Sequence, residues 1–139
     1  MTSKVREIIS HLTVKPNTIF LIDSLGALLT ALSLFVVLRN FNEYFGMPIT
    51  ILTCLSVIAA CLCIYSMTCF FCLKENYVPF LRAISICNLL YCILTLALII
   101  VYYPMLTVIG IAYFFIEIAI VCGLVYIEHK VATAISKVD

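Results

Sequence analysis

Glu117 is a single carboxylate in the otherwise nearly unbroken apolar run AYFFIEIAIVCGLVY, residues 112 to 126. If this run crosses a lipid bilayer, Glu117 lies near the hydrocarbon midplane, where a charge costs roughly 2.5–3.5 kcal/mol. We therefore expect an unpartnered Glu117 to be protonated at neutral pH. Such a group either donates a hydrogen bond that fixes helix packing, or marks the path of an ion, proton or ligand.

Asp23 is a second carboxylate inside an apolar run, and Asn88 falls at a similar depth when 1.5 Å is counted for each helical residue. Arg82 stands at the boundary of the third run, and its long side chain can reach inward. These positions predict a buried Asp23–Arg82 ion pair that is supported by Asn88.

Glu117 falls in a deeper layer of the predicted spans, together with Tyr65 and Thr30. Either of these hydroxyls is an expected hydrogen-bond partner of the Glu117 carboxyl. The candidate residues for binding a ligand or a proton are therefore Glu117, Asp23, Asn88, Tyr65, Arg82 and Thr30.

Cysteine is frequent, with eight in 139 residues, and Cys69 and Cys72 in CFFC have the spacing of redox dithiols and of metal-binding pairs. We treat them as weak redox candidates, because the pair falls at the predicted cytoplasmic end of a span, in a reducing compartment. Buried free cysteine usually acts as a small apolar residue.

His11 and His129 fall outside the spans, which argues against haem ligation. We expect no metal, no cofactor and no enzymatic activity.

Composition defines the class: 65% of residues are hydrophobic, 11% are charged and the mean hydropathy is +1.25, values far outside the soluble range. Four apolar runs, at about 18–38, 49–73, 83–103 and 107–127, are each long enough to cross a bilayer. Residues 1–17 and 128–139 flank them as a surface segment and a tail. The prediction is a single all-α membrane domain without a soluble domain.

Each predicted span carries one stripe of small or polar residues at helical spacing, and these stripes are expected to meet in the interior of a four-helix bundle. From the first span to the fourth, the stripes are Asp23, Gly26, Ala27 and Thr30; Cys54, Cys61, Tyr65, Thr68 and Cys72; Ser85, Asn88, Cys92 and Thr95; and Gly110, Tyr113, Glu117, Val121 and Leu124.

Basic residues predict the orientation. Seven lie in the N-terminal segment, the second loop and the C-terminal tail, against Arg39 alone in the first loop, so both termini are expected to be cytoplasmic. The basic residues form no stripe suited to a nucleic acid, which excludes that class of partner. In the segment 4–15, Val5, Ile8, Ile9 and Leu12 share a face, which is typical of a surface helix, with a frayed basic tail as the alternative.

At LIDSLGALLTALSLFVVLRNFNEYFGMP and NLLYCILTLALIIVYY the chain resembles a group of small four-span bacterial inner-membrane proteins with no assigned activity. The resemblance implies a bacterial cytoplasmic membrane and supplies no catalytic residues. Small multidrug exporters also have four spans, but their essential glutamate is in the first helix and their loops show little charge bias. Here the first span has Asp23 and the bias is strong.

Three functions remain as hypotheses. The first is an accessory or structural subunit that packs against a membrane protein partner or a second copy within the bilayer. The second is a small proton-coupled carrier or ligand-binding bundle that uses Glu117 and Asp23, and that is expected to be a dimer or larger because four helices leave a narrow centre. The third is a membrane thiol redox protein. A cavity joining Asp23 to Glu117 would favour the carrier, and a dry core with an apolar or cysteine-lined outer face would favour the subunit.

Overall fold

The computed structural model describes residues 2–138, which form helices and no strands. The six helices are α1 (Ser3–Val14), α2 (Asn17–Leu32, continued by the π-helical segment Ser33–Leu38), α3 (Asn42–Phe45), α4 (Ile49–Cys72), α5 (Tyr77–Tyr102) and α6 (Val108–Ser136). Four of them, α2 with its π-helical segment, α4, α5 and α6, are long and apolar enough to cross a membrane. The predicted all-α fold, with four helices that are able to span a membrane, is confirmed.

The helices end and begin at residues suited to these positions. Pro16 and Pro48 immediately precede α2 and α4, where a missing backbone N–H costs no intrahelical bond. The hydroxyl oxygen of Thr107 caps α6 by accepting a hydrogen bond from the Gly110 N–H at 3.1 Å. Gly46 ends α3 in the left-handed region, with φ of +82°, as glycine commonly does after a helix.

The bundle consists of two hairpins. One pairs α2 with α4 and the other pairs α5 with α6, whereas contacts between the hairpins are sparse. The short helix α1 packs against α6. Because the chain crosses the bundle four times, α2 starts and α6 ends at the same end, which we call the terminal end, and the opposite end is the loop end.

Apolar packing is concentrated at the two ends of the bundle. The terminal cluster consists of Leu12, Ile19, Phe20, Cys69, Leu81, Ile84, Val131 and Ala132. The loop cluster consists of Leu34, Leu38, Met47, Leu52, Leu55, Tyr91, Ile99 and Phe114. Buried polar side chains lie in the middle part of the spans, on the inward faces of α2, α4, α5 and α6. The two clusters therefore fix the hairpins at both ends and leave a polar centre.

Three of the four predicted stripes face the interior, and the stripe predicted for α4 does not. Cys54, Cys61 and Thr68 are exposed, while α4 buries Leu52, Leu55, Ser56, Ala59, Ser66 and Cys69. Small residues occur on both sides of this helix, and cysteine is apolar enough to face lipid, so residue type alone did not identify the inward face.

Candidate functional site

A group of four polar side chains, the acidic cluster, lies in the terminal half of the bundle: Asp23, Ser66, Asn88 and Glu128, one from each long helix. All four are at least 96% buried. Asn88 Nδ2 donates to Asp23 Oδ1 at 2.7 Å and to Glu128 Oε1 at 3.4 Å. The Ser66 hydroxyl donates to Asp23 Oδ2. One amide nitrogen therefore joins two buried carboxyl groups and ties the two hairpins together.

Glu128 was not among the predicted site residues, because the sequence placed it in the tail after the fourth span. The helix α6 instead continues to Ser136 and buries Glu128 completely. The spacing between Glu117 and Glu128 in the sequence could have indicated that Glu128 is buried. Eleven residues are about three helical turns, so both carboxylates fall on the same face of α6.

The predicted Asp23–Arg82 ion pair is wrong. Both carboxyl oxygens of Asp23 are bound by neutral donors from Ser66 and Asn88, and the Arg82 side chain is exposed at the start of α5. An exposed Arg82 avoids the cost of desolvating its guanidinium. Asn88 binds Asp23 directly, without the arginine that it was expected to support.

Glu117 has a different partner from those predicted. Tyr91 on α5 donates its hydroxyl to Glu117 Oε1 at 2.7 Å, and both residues are buried. Tyr65 instead donates to the Phe80 carbonyl at 3.4 Å, while Thr30 lines the same cavities as Glu117. The other carboxyl oxygen, Glu117 Oε2, is buried and has no partner among residues 2–138. Tyr91 follows Asn88 by three residues, so it could have been found on the same stripe of α5.

An inner cavity of about 100 Å³ connects these two polar groups. Asp23 and Asn88 line its terminal side, and Tyr91 and Glu117 line it toward the loop end. Small residues of α2, Gly26 and Ala27, and aliphatic side chains of α4 and α6 complete the wall. The cavity forms within a single chain, between the two sparsely packed hairpins. It has room for a few water molecules or a small ligand group.

The electrostatic character of the cavity is acidic. Asp23 and Glu117 reach its wall, and Glu128 is attached to Asp23 through Asn88. Within residues 2–138, the side chains that donate hydrogen bonds to these carboxyls are Ser66, Asn88 and Tyr91, and all three are neutral. Buried carboxylates are normally paired with a cation or kept protonated. The site is therefore suited to bind protons, or a cation in their place.

The cysteines do not converge on this cavity. All eight are free, and the predicted redox pair is divided, with Cys69 buried in the terminal cluster and Cys72 exposed. Cys92 and Cys122 approach each other across α5 and α6, with their sulfurs 3.8 Å apart. Within residues 2–138, no group of three or more His, Cys, Asp or Glu side chains is arranged to hold a metal ion. The redox role of Cys69 and Cys72 stays a prediction.

Comparisons with models of protein families, with curated proteins and with solved structures found no match to this chain.

Proposed function

We propose that this chain is a proton-coupled carrier or ligand-binding bundle for a small cation, acting in the membrane without catalysing a reaction. The observation that supports this most strongly is the inner cavity, which joins Asp23 to Glu117 and has only neutral donors around its carboxyls. A cavity beside buried carboxyls destabilises the fold, because unfilled space and unpaired polar atoms both cost stability. A purely structural role in helix packing therefore does not account for it.

In this proposal Glu117 is the exchange site. With the cavity empty of ligand, its carboxyl holds a proton and Tyr91 donates to Oε1. A cation that enters the cavity interacts with Oε2, which has no other partner, and the carboxyl releases its proton to water. Proton and cation then compete for one site, so each lowers the apparent affinity for the other by the same factor. Asp23 and Asn88 line the terminal side, through which the proton leaves.

Proton release on cation binding tests this proposal. We expect tetramethylammonium chloride, added to the protein in weakly buffered lipid nanodiscs, to release about one proton per chain, as competition at one carboxyl requires. A pH indicator dye measures the release, and sodium chloride at the same concentration corrects for ionic strength. The Glu117→Gln variant is expected to release none, because an amide of the same shape has no proton to exchange.

Glu43→Gln is the matched control. Glu43 is exposed in α3 at the loop end, so this substitution makes the same chemical change outside the cavity. It should behave as the wild type does. Equal signals from wild type and Glu117→Gln, or no signal from either, would contradict the proposal.

The orientation and location belong to the same proposal. The excess of basic residues at the terminal end supports cytoplasmic termini, and the resemblance supports a bacterial cytoplasmic membrane. Lys130 near the end of α6 lies 5.6 Å from the ring centre of Tyr126, and Arg39 at the loop end lies 4.9 Å from that of Phe35. Such pairs of a basic and an aromatic residue are suited to the two membrane interfaces.

A second candidate, the accessory subunit, is favoured by one observation. Cys54, Cys61 and Cys72 are exposed along α4, and Cys87 is exposed on α5, so cysteine contributes to the outer faces of both helices, as expected where a neighbouring helix packs. In this case the Glu117–Tyr91 hydrogen bond only fixes packing. Glu117→Gln would then be silent, and tetramethylammonium would release no proton from the wild type.

A further inference from the structure

The inner cavity lies beside an opening in the side of the bundle. An outer cavity of about 160 Å³ lies between α2 and α6, which contact each other only sparsely. It shares Leu29, Thr30, Glu117 and Ile120 with the inner cavity. Leu29, Ile116 and Ile120 on its rim are 61–69% exposed on the surface of the spans. In a bilayer this rim faces the acyl chains.

The helix type of α2 changes beside the outer cavity. The α-helical part of α2 ends at Leu32, and the wider π-helical segment starts at Ser33, which also lines the outer cavity. Segments of π-helix occur frequently at functional sites. Gly26, Ala27 and Thr30 on the same helix have small side chains and line the inner cavity.

We propose that the cation is an amphiphile, a single-chain lipophilic amine that enters from the lipid through this opening, which we call the lateral portal. The protonated amine contacts Glu117, and the hydrocarbon chain lies along the portal between Leu29 and Ile120. This inference rests on the proposed function and names its substrate class.

Three observations select this class of ligand. The inner cavity, at about 100 Å³, is much smaller than the roughly 300–1,000 Å³ of sites that enclose a drug-sized ligand, so it accommodates a head group only. Glu117 is 94% buried, and its Oε2 atom has no partner among residues 2–138. An anionic head would meet the carboxyls of Glu117 and Asp23, whereas an ammonium complements them.

The absence of tryptophan from the chain makes the portal measurable. Ile116→Trp places a single tryptophan on the rim of the portal, and Leu90→Trp places one on the outer face of α5. The two positions match in depth along the bundle. Ile116 directly precedes Glu117 and Leu90 directly precedes Tyr91, and Glu117 and Tyr91 are hydrogen-bonded to each other. They also match in exposure, at 62% and 59%. The probe is octadecylamine brominated at mid-chain, since bromine quenches tryptophan fluorescence, and the matching brominated octadecanol is its neutral control.

We expect the amine to quench Ile116→Trp at about a tenfold lower concentration than Leu90→Trp, a preference equal to roughly 1.4 kcal/mol. The alcohol should quench both variants equally, and adding Glu117→Gln to Ile116→Trp should remove the preference. Equal quenching of the two tryptophans by the amine would overturn the lateral portal. If tetramethylammonium still releases a proton in that case, the proposed function stands without the portal, and if it does not, both fail.

Discussion

Asn88→Asp is expected to lower the free energy of unfolding by about 3 kcal/mol, since buried groups left without partners each cost roughly 1–3 kcal/mol. The substitution keeps the size of the side chain but removes the Nδ2 donor that binds both Asp23 and Glu128. It also adds a third carboxyl to a cluster whose hydrogen-bond donors in the described part of the chain, Ser66 and Asn88, are both neutral. Denaturant unfolding in lipid nanodiscs, followed by circular dichroism, measures the effect.

Two comparisons isolate this cause. Asn40→Asp makes the same change at an exposed position beyond α2 and should change stability by no more than about 0.5 kcal/mol. Adding Glu128→Gln to Asn88→Asp should recover part of the loss, because it removes one acid and returns an amide donor to the cluster. If Asn88→Asp is as stable as Asn40→Asp, Asn88 does not hold the acidic cluster together.

Gly46→Ala is expected to be similarly damaging at the loop end, with a loss of about 3 kcal/mol or more. The left-handed backbone at Gly46 alone costs an alanine about 1–2 kcal/mol. An added Cβ would also lie 2.0 Å from the Met105 carbonyl oxygen and 2.9 Å from Leu106 Cα. The loop must shift to relieve this overlap, which disturbs the 3.2 Å hydrogen bond from the Thr107 N–H to the Phe45 carbonyl.

Gly123→Ala is the matched control for this prediction, because a Cβ there meets no atom within 4 Å. Gly123 lies inside α6, where alanine is favoured over glycine by about 1 kcal/mol, so this variant should equal or exceed the wild type in thermal stability. If Gly46→Ala and Gly123→Ala have the same melting temperature, the loop end tolerates the displacement of its backbone, and this prediction is wrong.

Hydropathy was sufficient to predict the spans, because each run must satisfy its backbone hydrogen bonds within one helix in the bilayer. The inward faces of α2, α5 and α6 followed from helical spacing, since Asp23, Asn88 and Glu117 are too polar to face lipid. On α4 this signal was weak. Ser56 and Ser66 face inward and Cys61 faces outward, yet both residue types are tolerated in either environment.

The partners within the site could not be predicted because they depend on how the helices rotate against each other. Asp23 binds Ser66 rather than Arg82 because α4 turns its serine inward. Glu117 binds Tyr91 because α5 and α6 form one closely packed hairpin, whereas Thr30 lies across the cavity on α2. The cavity itself depends on the sparse packing between hairpins, and no spacing within a single helix encodes that separation.

In the proposed function, Glu117 exchanges its proton for a cation inside the bundle. Infrared difference spectroscopy of the wild type against Glu117→Gln in lipid, over about pH 5 to 9, observes this carboxyl directly. We predict that the protonated carboxyl band weakens as the pH rises through this range, and that tetramethylammonium shifts the change to lower pH. A band that stays constant at every pH, with and without the cation, would make Glu117 a structural hydrogen-bonding group and contradict the proposed function.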